Sequence, residues 1–427
     1  MTPRPQPRYR LYTSAGAYGA LLGGLLRPDS RALEALEAAL CARTGSPHAV
    51  CAPRARVAIY LALRALVAPG KSVVMSPYTI ADVVNMVIAA GLRPVFADLE
   101  PDTCNVDPAE LERLVDADTG AVLVTHLHGL ACDMERIGAF CRERGVPLIE
   151  DAAQAFGARF QGKPVGTFGD AGIHSFGLYK NVNSFFGGLL LTPHARVAEA
   201  AREQQLAWAR ERRGTILKKA LSGLMTDIAT TPALFKRLVY PVFRFGFLHD
   251  VRAINRFVEI ELDLERHDRF PEVYERQLTP AQASATLRQL DGVDSDTACR
   301  ISYAKVYAEG LAGAPGLVLP PFHDDGSHIY TYYPVRARDR RGLLQWLMRH
   351  GRDVAAQHLK NCADLPAFRE FARDCPVARA TAQEIVLLPT YPRYGIDQVR
   401  ENVRVVRDYC DRLPTRRPRP LPVAASA

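Results

Sequence analysis

The feature that most constrains the fold is a regular alternation of short apolar segments with amphipathic segments between residues 72 and 149. The apolar segments have the length of strands, and the segments between them carry apolar residues at helical spacing. The predicted strands are 72–75, 93–97, 121–125 and 146–149, and the predicted helices are 80–90, 108–115 and 134–144. This pattern is typical of an α/β fold with a mostly parallel sheet and helices on both faces. Ligands of such sheets bind beyond the carboxyl ends of the strands.

The alternation stops after residue 192, and the remaining pattern indicates a second unit. A helix is predicted over 197–213 and one long helix over 282–310, and a smaller α+β unit follows with a strand at 330–337 and helices at 341–350 and 396–413. We therefore predict an N-terminal segment (1–30), a large domain (31–300) with an atypical apolar and basic insertion (214–263), a small C-terminal domain (301–413) and a basic, proline-rich tail (414–427).

The positive net charge does not indicate a nucleic-acid partner. The formal charge of the 427-residue chain is +8. Most of this excess comes from two terminal groups, Arg4, Arg8 and Arg10 near the start and Arg416, Arg417 and Arg419 near the end. The alternation of aromatic and basic residues that single-strand binders need is missing from the sequence. We interpret both termini as solvated ends.

The cysteines favour a reducing compartment, the cytoplasm. The chain has nine cysteines, and none of them forms a C-x-x-C pair. An odd number of scattered cysteines in a long chain is typical of free thiols, and it predicts no metal site. The sequence contains no window of the ~20 uninterrupted apolar residues that a membrane span requires.

One acidic residue and one lysine point to pyridoxal phosphate (PLP) chemistry. Asp151 follows the predicted strand 146–149, and Lys180 follows a glycine-rich stretch that contains Ser175. A lysine amine can form a Schiff base with the PLP aldehyde. A carboxylate can pair with the pyridinium nitrogen, so that the ring accepts electrons from a substrate carbanion, and a hydroxyl can donate to the phosphate. Asp151 and Lys180 are the predicted catalytic residues.

These residues lie in segments that resemble the DegT/DnrJ/StrS family of PLP-dependent nucleotide-sugar aminotransferases. The similar segments are 150–158 (EDAAQAFGA), 162–172 (GKPVGTFGDAG), 175–181, 93–98 (RPVFAD), 124–129 (VTHLHG), 365–368 (LPAF), 375–378 (CPVA) and 387–392 (LLPTYP). The resemblance implies the aspartate-aminotransferase type of PLP fold (fold type I). It comprises a large, mostly parallel α/β/α domain, a small C-terminal α+β domain, and a homodimer with shared active sites.

The resemblance also implies roles for cofactor-binding residues. Lys180 matches the Schiff-base lysine and Asp151 the pyridinium partner, while Gln154 matches the residue near the ring 3-hydroxyl. Ser175 matches a phosphate ligand. The helix that begins near Ala55 and Arg56 matches the element whose first amides hold the phosphate, which suits the positive end of a helix dipole.

Several positions depart from the family pattern. Arg56 stands where a small residue is usual, and its guanidinium either contacts the phosphate in a bidentate manner or points into solvent. Phe185 and Phe186 replace a glycine-acidic pair. Glu275 falls near an asparagine that reaches the phosphate from the partner subunit, with Arg276 beside it. These departures indicate an atypical substrate pocket.

The insertion 214–263 allows two interpretations. Large apolar residues alternate there with cations, which suits a dimer contact or a cover over the core. The same composition suits a membrane-surface segment or a pocket for an apolar substrate, and a membrane location would fit a lipid-linked substrate. His126 and His128 fit general acid-base chemistry, but we interpret them as packed or capping residues.

The predicted function is amino transfer from an amino acid, glutamate by family resemblance, to a nucleotide-linked keto sugar for polysaccharide or metabolite synthesis. The mechanism is a ping-pong, Schiff-base one. Two alternatives stay open: transfer to a non-sugar or lipid-linked ketone, and a non-catalytic PLP-fold protein with a regulatory or assembly role. Relatives that carry out sugar deoxygenation replace the lysine by histidine, and Lys180 argues against that chemistry.

Overall fold

A seven-stranded sheet lies at the centre of the structure, a computed structural model that describes residues 5–11, 13–255, 265–356 and 359–413. The strands are β1 (His48–Ala52), β2 (Ser72–Met75), β3 (Tyr78–Thr79), β4 (Arg93–Phe96), β5 (Thr119–Thr125), β6 (Leu148–Asp151), β7 (Arg159–Phe160), β8 (Lys163–Pro164), β9 (Ala171–Ser175), β10 (Gly188–Thr192), β11 (Ala209–Arg210), β12 (Arg276–Gln277), β13 (Leu317–Val318), β14 (Tyr333–Ala337), β15 (Ala355–Ala356), β16 (Lys360–Asn361) and β17 (Ile385–Leu388).

Helices flank the sheet and build the C-terminal part. They are α1 (Ala15–Leu26), α2 (Ala32–Thr44), α3 (Ala55–Leu66), α4 (Ala81–Ala89), α5 (Pro108–Leu114), α6 (Met134–Arg144), α7 (Ala195–Leu206), α8 (Arg213–Ala229), α9 (Pro232–Leu234), α10 (Tyr240–Leu248), α11 (Arg252–Asn255), α12 (Pro280–Leu287), α13 (Val293–Leu311), α14 (Arg340–Arg349), α15 (Pro376–Glu384) and α16 (Ile396–Cys410).

The central sheet is mostly parallel, as the sequence predicts. Its strand order is β1-β10-β9-β6-β5-β2-β4. Strands β9, β6, β5, β2 and β4 are parallel, whereas β10 and β1 are antiparallel to their neighbours. The carboxyl ends of β6 and β9 therefore meet at the same edge of the sheet.

Both faces of the sheet are buried because most residues of its strands are apolar. Val73 and Met75 of β2 pack in one core cluster with α3 and α4. Val74 of the same strand packs in another cluster with Leu111 of α5 and Ile137 of α6. This division follows the two-residue period of a strand. It fixes the sheet between two helical layers.

The C-terminal part contains a smaller antiparallel sheet with the order β13-β14-β17-β15. Residues of α13, α14 and α16 pack with this sheet in a separate core cluster. The predicted border between residues 300 and 301 falls inside α13, and the division into domains stays a prediction.

Two predicted helices are wrong: one ends too late, and the other is a single helix where the structure has two. The helix predicted over 197–213 ends at Leu206, and Ala209–Arg210 instead pairs in parallel with Arg276–Gln277. The amide Nε2 of Gln277 holds this turn by donating to the carbonyls of Gln205 and Trp208. The long helix predicted over 282–310 is two helices, α12 and α13, separated by a 3₁₀ turn at Leu290–Gly292. Helical spacing in the sequence cannot show such a break.

Two predicted segments lie partly or wholly outside the described residues. The tail 414–427 is outside them, as are residues 256–263 of the insertion. Within the four described ranges, no helix combines the length and the apolar character needed to cross a bilayer.

Candidate active site

The predicted site residues gather where β6, β9 and β10 meet the start of α3. Asp151 ends β6 and pairs with Ile173 of β9. Ser175 ends β9 and pairs with Gly188 of β10, which in turn pairs with Ala52 of β1. The sheet thus brings Asp151, Ser175 and the first residues of α3 to one edge, the place where α/β sheets bind ligands.

Lys180 lies in the loop after β9, and its side chain lines a cavity together with Gln154 and Ser175. A turn in which the Lys180 amide donates to the Gly177 carbonyl, at 3.0 Å, holds the loop. Burial lowers the pKa of the Lys180 amine, and the negative charge of Asp151 opposes this shift. A lowered pKa increases the neutral fraction of the amine, which is its nucleophilic form.

Asp151 is buried behind this cavity, with 5% of its surface exposed. Burial raises the pKa of its carboxyl, while the Ala153 amide and the charge of Lys180 lower it. Its Oδ1 accepts a hydrogen bond from the Ala153 amide at 3.1 Å. Within the described part of the chain, Oδ2 accepts no hydrogen bond. A buried carboxylate with an unused oxygen favours a cationic donor beside it.

Gln154 is held by the backbone of the preceding loop. Its Oε1 accepts a hydrogen bond from the His128 amide at 3.0 Å. His128 has a left-handed backbone (φ 56°) that turns this amide toward Gln154. Because the side-chain carbonyl is used in this way, the side-chain NH₂ is the group that Gln154 can offer to a ligand.

The start of α3 approaches Gly188 very closely. A Cβ atom on Gly188 would lie 2.5 Å from the amide nitrogen of Ala55, so a larger residue does not fit. Within the first turn, the amides of Val57 and Ala58 bond to the carbonyl of Arg54, whose side chain makes no cap. The amides of Ala55 and Arg56 belong to the helix start that is suited to an anion.

Arg56 meets neither of the two expectations for its side chain. Its guanidinium forms an ion pair with Asp82 and donates a hydrogen bond to the Tyr274 hydroxyl at 3.0 Å. The neighbouring Arg54 also approaches Tyr274, with its guanidinium carbon 5.5 Å from the ring centre. Burial lowers the pKa of Arg54; Glu211 opposes this shift, and the charges of Arg56 and Arg276 add to it. The sequence analysis did not name Arg54 as a candidate site residue, although Arg54 directly precedes Ala55 at the predicted phosphate-binding start of α3.

Glu150 is a second buried carboxylate, and its role is structural. Its oxygens accept hydrogen bonds from the amides of Gly166, Phe168 and Gly169 at 2.6–2.8 Å. Its Oε2 also lies 3.3 Å from Nε2 of His126, whose Nδ1 accepts from the Cys132 amide. His126 is therefore packed, as interpreted from the sequence. Together these bonds fix the loop that leads from β6 to β9.

The N-terminal segment 5–11 is not a solvated end, contrary to the sequence-based interpretation. The Arg8 guanidinium and amide both bond to the buried carboxylate of Asp353, and the Tyr391 hydroxyl donates to the Pro7 carbonyl at 2.8 Å. Tyr9 contacts the ring of Tyr179, with centroids 4.9 Å apart. Tyr9, Arg10 and Leu11 line the cavity with Lys180. The segment docks because a buried Asp353 needs a cation. The described residues do not include Arg4 or the arginines of the C-terminal tail.

The Arg8–Asp353 pair gives a testable prediction. Arg8→Ala leaves the Asp353 carboxylate buried without its cation, so we expect a loss of about 3 kcal/mol of unfolding free energy. Arg404→Ala is the matched control, because its partners Glu401 and Asp408 are more exposed, and it is expected to cost under about 1 kcal/mol. Denaturant unfolding measures both. The double variant Arg8→Ala/Asp353→Ala is expected to lose less than the sum of the single variants. An additive result would mean that the pair does not hold the segment.

The residues of this site fit PLP. Lys180 supplies an amine at the cavity, Asp151 supplies a buried acceptor, and Ser175 supplies a hydroxyl next in register to Gly188. The close approach at Gly188 leaves the start of α3 open to a phosphate rather than filled by a side chain.

Comparisons with known proteins show which family the chain belongs to. Residues 20–230 and 264–407 match the model of the DegT/DnrJ/EryC1/StrS aminotransferase family. The pleiotropic regulatory protein of Geobacillus stearothermophilus is 27% identical over 381 residues, which cover 88% of this chain and 88% of that protein. The spore coat polysaccharide biosynthesis protein SpsC of Bacillus subtilis is 26% identical over 387 residues, which cover 88% of this chain and 89% of that protein.

The solved structure of DesV from S. venezuelae is similar throughout. It is 25% identical, with a TM-score of 0.75, and the alignment covers 97% of this chain and 100% of that chain. This likeness confirms the predicted fold, the aspartate-aminotransferase type of PLP fold. The family match confirms the predicted resemblance.

Proposed function

Because the chain belongs to the DegT/DnrJ/EryC1/StrS aminotransferase family and is a PLP-dependent aminotransferase, we propose that it moves an amino group from glutamate to a nucleotide-linked keto sugar. The observation that carries this proposal is the meeting of Lys180, Asp151 and Ser175 at one edge of the sheet. SpsC, one of the similar proteins, is named for polysaccharide biosynthesis, which favours a sugar acceptor.

We assign the following roles to residues of this chain. When bound, PLP supplies an aldehyde that amines attack and a ring that withdraws electrons from the adjoining carbon. Lys180 is the amine that holds the cofactor and, when released, the base that takes the proton from the α-carbon of the donor. Asp151 keeps a positive charge on the ring nitrogen next to it.

The remaining site residues hold and orient the cofactor. The Gln154 NH₂ donates toward the edge of the ring, because its carbonyl oxygen is used by the His128 amide. The Ser175 hydroxyl and the amides of Ala55 and Arg56 hold the phosphate. Arg56 contributes its amide rather than its guanidinium, since Asp82 and Tyr274 bind the guanidinium.

Arginines at the cavity suit anionic substrates. Arg10 and Arg300 both line the cavity with Lys180. The Nε of Arg10 is buried and, among the described residues, donates to no acceptor. The donor carries carboxylates and a nucleotide-linked acceptor carries phosphates, and both are groups that guanidinium binds well. The homodimer and the cytoplasmic location stay predictions.

The glutamate half-reaction tests the proposal. We expect the purified protein with PLP to absorb visible light, and L-glutamate alone to change this absorption and release stoichiometric 2-oxoglutarate, as ping-pong kinetics require. D-glutamate is the matched control and leaves the spectrum unchanged. A nucleotide-linked keto sugar, added after glutamate has been removed, restores the original absorption. The same sugar without its nucleotide does so much more slowly.

A second candidate function is regulation without catalysis. It is favoured by the name of the Geobacillus relative, a pleiotropic regulatory protein. The same experiment separates the two. A protein that binds PLP and leaves glutamate and every other amino acid unchanged would be a regulator rather than an aminotransferase.

A further inference from the structure

Helix α8 has two apolar faces, and only one of them is covered. Ile216, Ala220 and Gly223 are buried against α1 and Phe185. A second set of large apolar residues is 43–63% exposed: Leu217, Leu221, Leu224, Met225 and Ile228. Their spacing places them along one continuous stripe of the helix. A stripe of this length is not explained by the core of the protein.

Helix α10 repeats this arrangement. Tyr240 is buried, and its hydroxyl donates to the Met348 carbonyl. Val242 and Phe245, three residues apart on one face of α10, are 51% and 56% exposed, and Leu238 in the π-helical turn just before α10 is 61% exposed. Two helices close together in the sequence therefore each carry a covered face and an exposed apolar stripe. We call the eight exposed residues of the two stripes the apolar face.

The charges around the apolar face are mostly positive. The exposed cations between residues 210 and 244 are Arg210, Arg212, Arg213, Lys218, Lys219, Lys236, Arg237 and Arg244. The two acidic residues of this stretch are Glu211, which is buried, and Asp227, which is partly buried and accepts a hydrogen bond from the Tyr18 hydroxyl. The exposed charge of the segment is thus basic.

Part of this segment lies outside the family match, which stops at residue 230 and resumes at 264. The covered face of α8 lies inside the match and packs on Phe185 and Phe186, the pair that departs from the family pattern. The shared amino-transfer chemistry does not account for the apolar and basic character of the segment.

We propose that the apolar face binds the surface of an anionic lipid bilayer. Helices that lie in a membrane interface combine an apolar stripe with flanking lysines and arginines, as α8 and α10 do. A second copy of this chain suits the face less well, because a two-fold contact sets the same patch on both partners. The cations of one copy would then meet those of the other.

Flotation with vesicles tests this assignment on the full chain with PLP bound. We expect the protein to float with vesicles of phosphatidylcholine and phosphatidylglycerol and to remain below with phosphatidylcholine alone. Added salt should weaken the binding. The variant Leu221→Gln/Leu224→Gln/Met225→Gln/Ile228→Gln should bind the vesicles at least about tenfold more weakly than the wild type. Lys218→Gln/Lys219→Gln should show a smaller loss.

Matched controls keep the result interpretable. Leu206→Gln/Val273→Gln removes two other exposed apolar side chains, 77% and 62% exposed, and should float like the wild type. Unchanged PLP absorption and thermal midpoint show that each variant is folded. Wild-type protein that stays below with anionic vesicles overturns the assignment. So does a fourfold variant that changes from dimer to monomer in sedimentation, because the face would then be a contact between copies.

Discussion

Exchange of Lys180 for alanine will abolish covalent retention of PLP and lower amino transfer by about 10⁴-fold or more. The variant loses both the amine that holds the cofactor and the base that moves the proton. Borohydride reduction followed by peptide mass analysis measures the first loss, and steady-state kinetics measures the second. Lys163→Ala is the control, because Lys163 is an exposed lysine beside the Phe168 ring and outside the cavity. A Lys180→Ala protein that still retains PLP after reduction would disprove the assignment.

The fold could be predicted from the sequence wherever local pattern and global structure agree. The strand 72–75 and the helix 134–144 have the predicted bounds, and the other segments of the alternating region differ by a few residues. Each of these segments is apolar at the period of its own secondary structure, so packing reinforces what local propensity favours. The helix predicted over 197–213 failed because Gln277, distant in sequence, supplies the bonds that end α7.

The candidate site shows the same contrast between residues with a local sequence signal and residues placed by distant contacts. Asp151, Ser175 and Lys180 were predicted because each follows a strand or a glycine-rich turn, and the order of parallel strands then determines where they meet. The N-terminal segment was not predicted to reach the cavity. Its position depends on the pairing of Arg8 with Asp353, which lies far away in the sequence and has no local signal. A charge buried by tertiary structure cannot be recognised from composition.

Asp151→Asn will lower amino transfer by about 10²- to 10³-fold while the protein remains folded. The substitution keeps the shape of the side chain and the oxygen that accepts from Ala153, so it removes little except the charge. Without a carboxylate beside it, the ring nitrogen loses the partner that stabilises its proton. PLP should bind more weakly, which fluorescence titration measures. Asp170→Asn is the matched control, because Asp170 also accepts a backbone hydrogen bond, from Leu148, but lies just before β9, at the opposite end of the strand from Ser175.

The same variant also makes a prediction about pH. The negative charge of Asp151 raises the pKa of Lys180, against the larger effect of burial. Its removal therefore lowers that pKa further, and the neutral amine forms at lower pH. Capture of PLP by the cofactor-free protein should rise with pH in the wild type, and the rise should move to lower pH in Asp151→Asn. Stopped-flow absorbance across a pH series measures this shift. An unchanged profile would mean that the two side chains are not coupled, and the proposed pairing of Asp151 with the ring nitrogen beside Lys180 would lose its electrostatic basis.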